Sequence, residues 1–212
     1  MIRVLQPVAA VLAVAARALA APARAAALAV AIVLVAVVPA SAQEQDEVLY
    51  TPEDLMFLTH MIVHHEQALE LAALVPSRGQ HEELIRFARY VDGAQRAEID
   101  RMKGLLELAA QRGLKIPEHE MHGDPPMAGM LSQAQMKAIA AASGAEFERL
   151  WLQGMIHHHQ GALDMAQAQQ RRQFESGRRP YGIDLLVDDI IEVQRGEITK
   201  MKNWLADWHL VP

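Results

Sequence analysis

An internal repeat constrains what this chain can fold into more than any other feature of its sequence. The segment 57–72 matches the segment 151–166, and both contain the pattern M-I-x-H-H-x-x-A-L. Farther along, 95–103 matches 194–202 through the pattern Q-x-x-E-I-x-x-M-K. Two matched blocks in the same order predict two copies of one structural unit.

Each block has the periodicity of an amphipathic helix, with apolar residues recurring every three or four positions. After residue 42 the sequence does not show the two-residue alternation of a strand. Helices with narrow apolar stripes can bury those stripes only against one another. The sequence therefore predicts an all-α fold, a four-helix bundle made of two repeated helical pairs. The predicted helices cover 52–75, 80–112, 144–176 and 183–207.

Between the repeats, the linker 113–132 contains proline and glycine that interrupt a continuous helix. It also carries Met and His side chains, and no apolar stripe explains them. Soft ligands in such a segment predict a secondary, low-affinity metal site on a mobile loop. The residues of that predicted site are Met121, His122, Met127 and Met130.

Local signals mark several helix starts. Three starts are predicted, at Thr51 before Pro52 and at capping boxes formed by Ser132 with Gln135 and by Ser143 with Glu146. The box at Ser132 predicts a short helix that continues to about Ala142.

The N-terminus is typical of an export signal. Three arginines and an apolar run over 25–38 precede Ala40-Ser41-Ala42, which fits an A-x-A cleavage pattern. We predict a signal peptide of residues 1–42 and a periplasmic or secreted protein without membrane contact after cleavage. An uncleaved anchor stays open as an alternative, although the run is shorter than the roughly 20 apolar residues of a spanning helix. One domain, 43–212, is predicted to follow, with repeat one at 51–112, the linker at 113–132 and repeat two at 143–207.

Composition excludes some kinds of site and partner. The chain has no cysteine, so disulfides and thiolate metal sites are excluded. Its formal net charge is −6 at pH 7 without a basic tract, so a nucleic-acid partner is not expected. In contrast, its 10 His and 11 Met cluster instead of scattering.

Polar side chains recur at positions that the helical period turns inward. Burying such groups without partners costs about 1–3 kcal/mol each. Imidazole is a common metal ligand, so a doubled set of inward histidines predicts a metal site. The inward polar residues are His64, His65, Gln95 and Glu98, with counterparts His158, His159, Gln194 and Glu197. Thioethers on the same helix faces come from Met61, Met102, Met155 and Met201.

Each of these residues also has a structural interpretation. Methionine on a helical stripe commonly fills a core, and an inward histidine is commonly hydrogen-bonded. The two glutamates could instead pair with a protonated histidine or with Arg96 or Arg195. Three further histidines, His81, His157 and His209, have no counterpart in the repeat and are predicted to lie at the surface.

The motifs resemble those of a secreted bacterial family, the domain of unknown function 305, which includes periplasmic copper-binding proteins. The resemblance covers about residues 50–206. It implies a ferritin-like bundle, and the copper-binding members imply Cu(I) or Ag(I) held by His and Met. The family pattern H-H-x-x-A-x-x-M-A is complete in the second repeat, where it includes Met165, whereas Leu71 takes that position in the first. The candidate ligands are then Met61, His64, His65, Glu98 and Met102 in repeat one, and Met155, His158, His159, Met165, Glu197 and Met201 in repeat two.

We predict an exported metal-binding protein that binds Cu(I) for buffering, transfer or tolerance, with periplasmic copper-handling proteins as partners. Thioethers beside imidazoles select Cu(I), and no residue is an obvious nucleophile or base, which favours a binding protein over an enzyme. The second repeat is expected to bind more tightly, because Met165 has no sulfur-bearing counterpart in the first.

Two other functions stay open. A ferritin-like oxidoreductase with dinuclear iron or manganese needs four carboxylates and two Glu-x-x-His motifs. Here the matched inward carboxylates are Glu98 and Glu197, and Arg101 and Lys200 stand where the motif needs histidine. A metal-free structural or interaction domain is the third hypothesis, and it leaves the paired histidines unexplained.

Overall fold

A computed structural model describes residues 50–117 and 127–210 of the 212-residue chain. Within these ranges all regular secondary structure is helical, which confirms the all-α prediction. The predicted signal peptide, its cleavage site, Met121 and His122 lie outside the described residues. The helices are α1 (Pro52–Arg78), α2 (Glu82–Gln111), α3 (Gln133–Ala141), α4 (Gly144–Ser176) and α5 (Ile183–Asp207).

The four long helices pack as two pairs. Helix α1 packs along α2, α4 packs along α5, and the pairs meet through α1 and α4, while the short α3 lies against α4. A buried tryptophan joins the pairs, since Trp151 Nε1 of α4 donates to the Leu71 carbonyl of α1 at 2.8 Å. The ferritin-like arrangement of these helices stays a prediction. None of the described helices is long and apolar enough to cross a membrane.

All three predicted helix starts are confirmed, and two of them have the predicted caps. The Thr51 side chain accepts from the Asp54 amide, and Asp54 in turn accepts from the Thr51 amide. Ser132 and Gln135 form the predicted capping box of α3. In both cases the side chains satisfy amides that the helix itself leaves unpaired.

The capping box predicted at Ser143 is wrong. Its side chain makes no capping hydrogen bond, and Gly144, the first residue of α4, has a φ of +61°. The Glu146 carboxylate, which would complete the box, instead binds Arg149 at 2.6 and 2.9 Å. A left-handed first residue changes the direction of the backbone at the point where the box needs a regular turn.

A buried carboxylate that the sequence analysis did not single out fixes the start of α2. Glu148 is fully buried in α4 and accepts hydrogen bonds from the Gln80 and His81 amides, each at 2.7 Å. Its second oxygen lies 2.6 Å from His81 Nδ1, and the His81 ring stacks on Trp208. His81 is therefore only partly exposed and has a structural role, which corrects the simple surface prediction.

The last part of the linker, Met127–Leu131, packs closely against the bundle, and we call this segment the strap. Both the amide and the carbonyl of Leu131 bind the Gln67 side chain, at 2.7 and 2.9 Å. A Cβ atom placed on Gly161 of α4 would lie 2.1 Å from the Ala128 carbonyl oxygen, so the strap needs glycine there. Gly129 has a φ of +76°, which L side chains rarely adopt. The strap is thus held at both ends, whereas the sequence predicted a mobile loop over the whole linker.

Candidate metal centre

Four histidines meet where α1 and α4 pack against each other. His64, His65, His158 and His159 are each at most 1% exposed. The His64 and His158 rings, one from each repeat, have centroids 3.9 Å apart and planes tilted by 37°. The rings of His65 and His159 lie 6.4 and 6.1 Å from their sequence neighbours. The structure therefore brings the predicted histidines of both repeats to one region between the helical pairs.

The outer histidine of each repeat binds a buried glutamate. His65 Nε2 lies 2.7 Å from Glu98 Oε2, and His159 Nε2 lies 2.8 Å from Glu197 Oε2. Arg96, the other partner considered for Glu98, is instead bound to Asp92. Each glutamate thus accepts a hydrogen bond from Nε2 of its histidine ring.

The inner histidines bind backbone carbonyls. His64 Nε2 lies 3.0 Å from the Ala128 oxygen of the strap, and His158 Nε2 lies 2.9 Å from the His64 oxygen in α1. A carbonyl oxygen can only accept a hydrogen bond, so Nε2 must carry the proton in both rings. Burial, followed by the neighbouring His65, lowers the pKa of His64 from 6.5 to about 3. Burial, followed by the nearby His64, places the pKa of His158 well below its ordinary value. Both rings are neutral near pH 7, and each leaves a lone pair on Nδ1.

The Nδ1 atoms of all four histidines are buried and have no hydrogen-bond partner. In His65 and His159 the carboxylates accept from Nε2, so the neutral form of each ring has its lone pair on Nδ1. An unsatisfied buried polar atom costs about 1–3 kcal/mol. A metal-binding histidine usually donates a hydrogen bond from one ring nitrogen to a carboxylate or carbonyl, and it binds the metal through the other nitrogen. Imidazoles in this state fit metal binding through Nδ1.

Thioether groups lie in the same core. Met61, Met102, Met155 and Met201 are fully buried, as the helical stripes predict. Met165, the ligand implied by the family pattern, is only partly buried at the edge of the core. Its repeat counterpart Leu71 is fully buried.

Three further polar atoms in this interior lack partners, and one of them is Glu197 Oε1. The side-chain oxygens of Gln95 and Gln194 are buried and unbonded, and each Gln lies one turn before the glutamate that binds a histidine. The sequence placed both residues on the inward stripe without naming them as ligands. His157 and His209 are exposed, as predicted.

Carboxylates and histidines alone do not form a closed metal cage here. In residues 50–117 and 127–210, no three His, Asp or Glu side chains are grouped so that they could hold an ion. A centre of one or two imidazoles needs thioether sulfurs to complete it, and the buried methionines offer them. A carboxylate-bridged dinuclear centre would need four carboxylates. The repeat supplies two to this interior, Glu98 and Glu197.

Comparison with known proteins identifies the family. The model of the family named "Domain of unknown function (DUF305)" matches residues 54–205. The chain belongs to the DUF305 family. Comparison of the sequence with curated proteins gave no match.

Solved DUF305 structures have a similar fold. A DUF305 protein of Streptomyces coelicolor, inferred to be secreted, is 32% identical with a TM-score of 0.61, over 73% of this chain and 91% of that one. A DUF305 fragment from Deinococcus radiodurans is 30% identical with a TM-score of 0.62, over 74% and 97% of the two chains. CopM in its Cu(I)-bound form is 29% identical with a TM-score of 0.56, over 75% and 98%. CopM is also solved in Cu(II)-bound and Ag-bound forms.

Proposed function

We propose that this DUF305 protein binds Cu(I), and the similar ion Ag(I), between its two helical pairs. The observation that carries the proposal is the set of four buried, unpartnered Nδ1 atoms, each on a ring whose Nε2 already has an acceptor. Such orphaned atoms are costly to the metal-free fold, and an ion bound by one or two of these rings together with thioether sulfurs would offset part of that cost.

The donor set favours a soft ion over a hard one. Thioether sulfur is a soft ligand that suits Cu(I), and imidazole also binds copper. His64 and His158, with the outer His65 and His159, would supply nitrogen, and the buried methionines would supply sulfur. A partly exposed Met165 is a weaker candidate than the four fully buried methionines.

The glutamates would act through the rings and not as principal ligands. Glu98 and Glu197 each use Oε2 to accept from a histidine Nε2. This contact fixes the orientation of the ring and increases the basicity of its other nitrogen. We propose this role in place of the direct ligation expected from the sequence.

The biological role follows from binding without an evident reaction. We propose that the protein is exported and that it buffers copper, transfers copper or confers tolerance to copper. The N-terminal 42 residues resemble a cleavable signal, and one similar protein is inferred to be secreted. CopM, another similar protein, is seen with bound Cu(I) and Ag. Mass spectrometry of the exported form should find Gln43 at its N-terminus, and intact chain in the membrane fraction would contradict cleavage.

Anaerobic titration of the metal-free protein tests the binding itself. Cu(I) and Ag(I) should bind far more tightly than Zn(II) or Fe(II), because thioethers contribute little to the harder ions. Removing the inner pair with His64→Ala and His158→Ala should abolish tight Cu(I) binding. The matched control removes two exposed histidines, with His157→Ala and His209→Ala, and should bind as the unaltered protein does. Tight binding that survives loss of the inner pair in a folded protein would refute the proposal.

A further inference from the structure

The two repeats differ at three positions of their shared histidine motif, and both residues of one of these positions contact the strap. Residues 61–69 and 155–163 share M-I-x-H-H-x-x-A-L, but Gln67 in the first corresponds to Gly161 in the second. Gln67 binds the Leu131 amide and carbonyl, whereas Gly161 leaves room for the Ala128 carbonyl. Both residues of this pair therefore contact the strap, Gln67 from α1 and Gly161 from α4.

The strap supplies the hydrogen-bond acceptor of the His64 ring. The Ala128 oxygen lies 3.0 Å from His64 Nε2. The other three histidines find their Nε2 acceptors on long helices, at Glu98, Glu197 and the His64 backbone. Among the four, His64 alone depends on an acceptor outside the helices, and that acceptor stays in place only while the strap is docked.

We propose that Gln67 and Gly161 are positioning residues for His64. They hold the strap so that Ala128 accepts from Nε2, which keeps Nδ1 as the nitrogen that can bind a metal ion. The metal-binding consequence rests on the proposed function, whereas the control of the His64 ring does not. With the strap displaced, His64 loses its acceptor, its ring is free to change tautomer or rotate, and water can reach the inner histidine pair.

The sequence mismatch itself supports this assignment. Gln67 is half-buried, and both the nitrogen and the oxygen of its side-chain amide form hydrogen bonds with Leu131 of the strap. At Gly161 a methyl group would overlap the Ala128 carbonyl, so even alanine must push the strap away. A turn within the strap, from the Met130 amide to the Met127 carbonyl at 3.2 Å, transmits a shift at either end to Ala128.

Strap displacement can be measured in the metal-free protein. Gln67→Leu removes both hydrogen bonds to Leu131, and amide exchange at Leu131 should rise on the order of tenfold. Gly161→Ala should give a similar rise through its Cβ. Gln67→Glu keeps an acceptor for the Leu131 amide and loses the donor to its carbonyl, so it should fall between the two states. The matched controls are Gln111→Leu and Gly93→Ala, at exposed positions of α2 whose side chains make no hydrogen bond to the strap.

Nitrogen-15 chemical shifts of the His64 ring decide the positioning role. The unaltered protein should show protonated Nε2 and bare Nδ1. In Gln67→Leu and Gly161→Ala the shifts should move toward a mixture of tautomers, with Gln67→Glu partly restoring the single state. An unchanged His64 tautomer in a folded Gln67→Leu protein whose Leu131 amide exchanges freely would overturn the proposal. So would unchanged Leu131 exchange in both variants. If Gly161→Ala does not fold, the two Gln67 variants decide.

Metal release separates this inference from the proposed function. Transfer of Cu(I) to an excess of a Cu(I) chelator should be about tenfold faster from the strap variants than from the controls, because losing the hydrogen-bond partner that orients a metal-binding histidine typically costs about 10–100-fold in metal affinity. If the unaltered protein fails to bind Cu(I), the proposed function is lost, and the His64 shifts still decide the positioning role. Release at the unaltered rate, with the tautomer changed, would overturn the link between strap and metal.

Discussion

The two helical pairs agree closely in their outer histidines and differ in their inner ones. His65–Glu98 and His159–Glu197 have nearly the same distance, 2.7 and 2.8 Å. The inner Nε2 atoms, in contrast, bind a strap carbonyl in one repeat and an α1 carbonyl in the other. The repeat thus preserves the set of donor atoms and varies what holds them in place.

The largest expected effect tests whether the repeats form one centre or two. Since the His64 and His158 rings have centroids 3.9 Å apart, a shared centre is expected. Replacing His64 and His65 together with Ala should then weaken Cu(I) binding at least about 100-fold, and so should replacing His158 and His159. Losing a ligand should cost more than the roughly 10–100-fold that follows from losing the hydrogen-bond partner of a ligand. Competition titration with a chelator measures both. A much larger loss in the second repeat would restore the expectation of separate sites, with the second tighter.

The glutamate variants Glu98→Gln and Glu197→Gln ask whether the outer pairs are equivalent in function as well as in distance. Each removes the negative charge beside a histidine Nε2 and should lower Cu(I) affinity by about 10–100-fold. The two reductions should agree within a factor of a few. The measurement is competition with the same chelator, and circular dichroism checks the fold. A glutamate whose replacement leaves affinity unchanged would not be orienting its ring.

Acid sensitivity compares the inner histidines. The pKa of His64 falls from 6.5 to about 3 on folding, so as the pH drops the unfolded chain takes up the proton first. Its contribution to stability is present above about pH 6.5 and is lost as the pH falls toward 3. The pKa of His158 is lowered in the same direction. Each should reduce the free energy of unfolding of the metal-free protein by up to about 1.4 kcal/mol per pH unit.

Urea denaturation between pH 7 and pH 4.5 measures this slope. His64→Asn and His158→Asn should each flatten it, because each removes a group that is buried neutral. A slope that stays steep in one variant would show that the corresponding ring takes up its proton without loss of the fold.

The smallest expected effect concerns the position where the repeats differ in sulfur. Met165 is partly exposed, so Met165→Leu should change Cu(I) affinity by no more than about threefold, as is usual away from a site. Leu71→Met, a volume-conserving change, would place a thioether at the fully buried equivalent position. Isothermal titration of both variants compares them. A tenfold loss in Met165→Leu would make Met165 a ligand, as the family pattern implies.

Much of the fold could be predicted from the sequence because helical periodicity is local. The inward positions of His65, Glu98, Gln95 and Met102 follow from a spacing of three and four residues, and each is buried as expected. The cap at the start of α4 could not be predicted in the same way. Gly144 adopts a left-handed conformation, and no pattern of side chains reveals that.

The contacts across the repeats depend on tertiary placement. That His64 meets His158 requires knowing how α1 crosses α4, which the period of neither helix specifies. The Glu148–His81 contact joins residues 67 positions apart for the same reason. The docking of the strap did leave a signal, since Gln67 and Gly161 form one of the three pairs that differ between 61–69 and 155–163. The role of this difference becomes clear only in the structure, where Gln67 binds Leu131 and Gly161 lies against the Ala128 carbonyl.

The contact between the His64 and His158 rings has a consequence for how such a centre responds to dilution. A chain with a single helical pair could form the same contact only as a dimer, and its site would dissociate as the protein became scarce. Here the two rings are covalently linked through one polypeptide, so each experiences the other at a fixed effective concentration. A metal ion held between them would bind with a strength independent of how much protein surrounds it. That property suits a molecule working at low abundance.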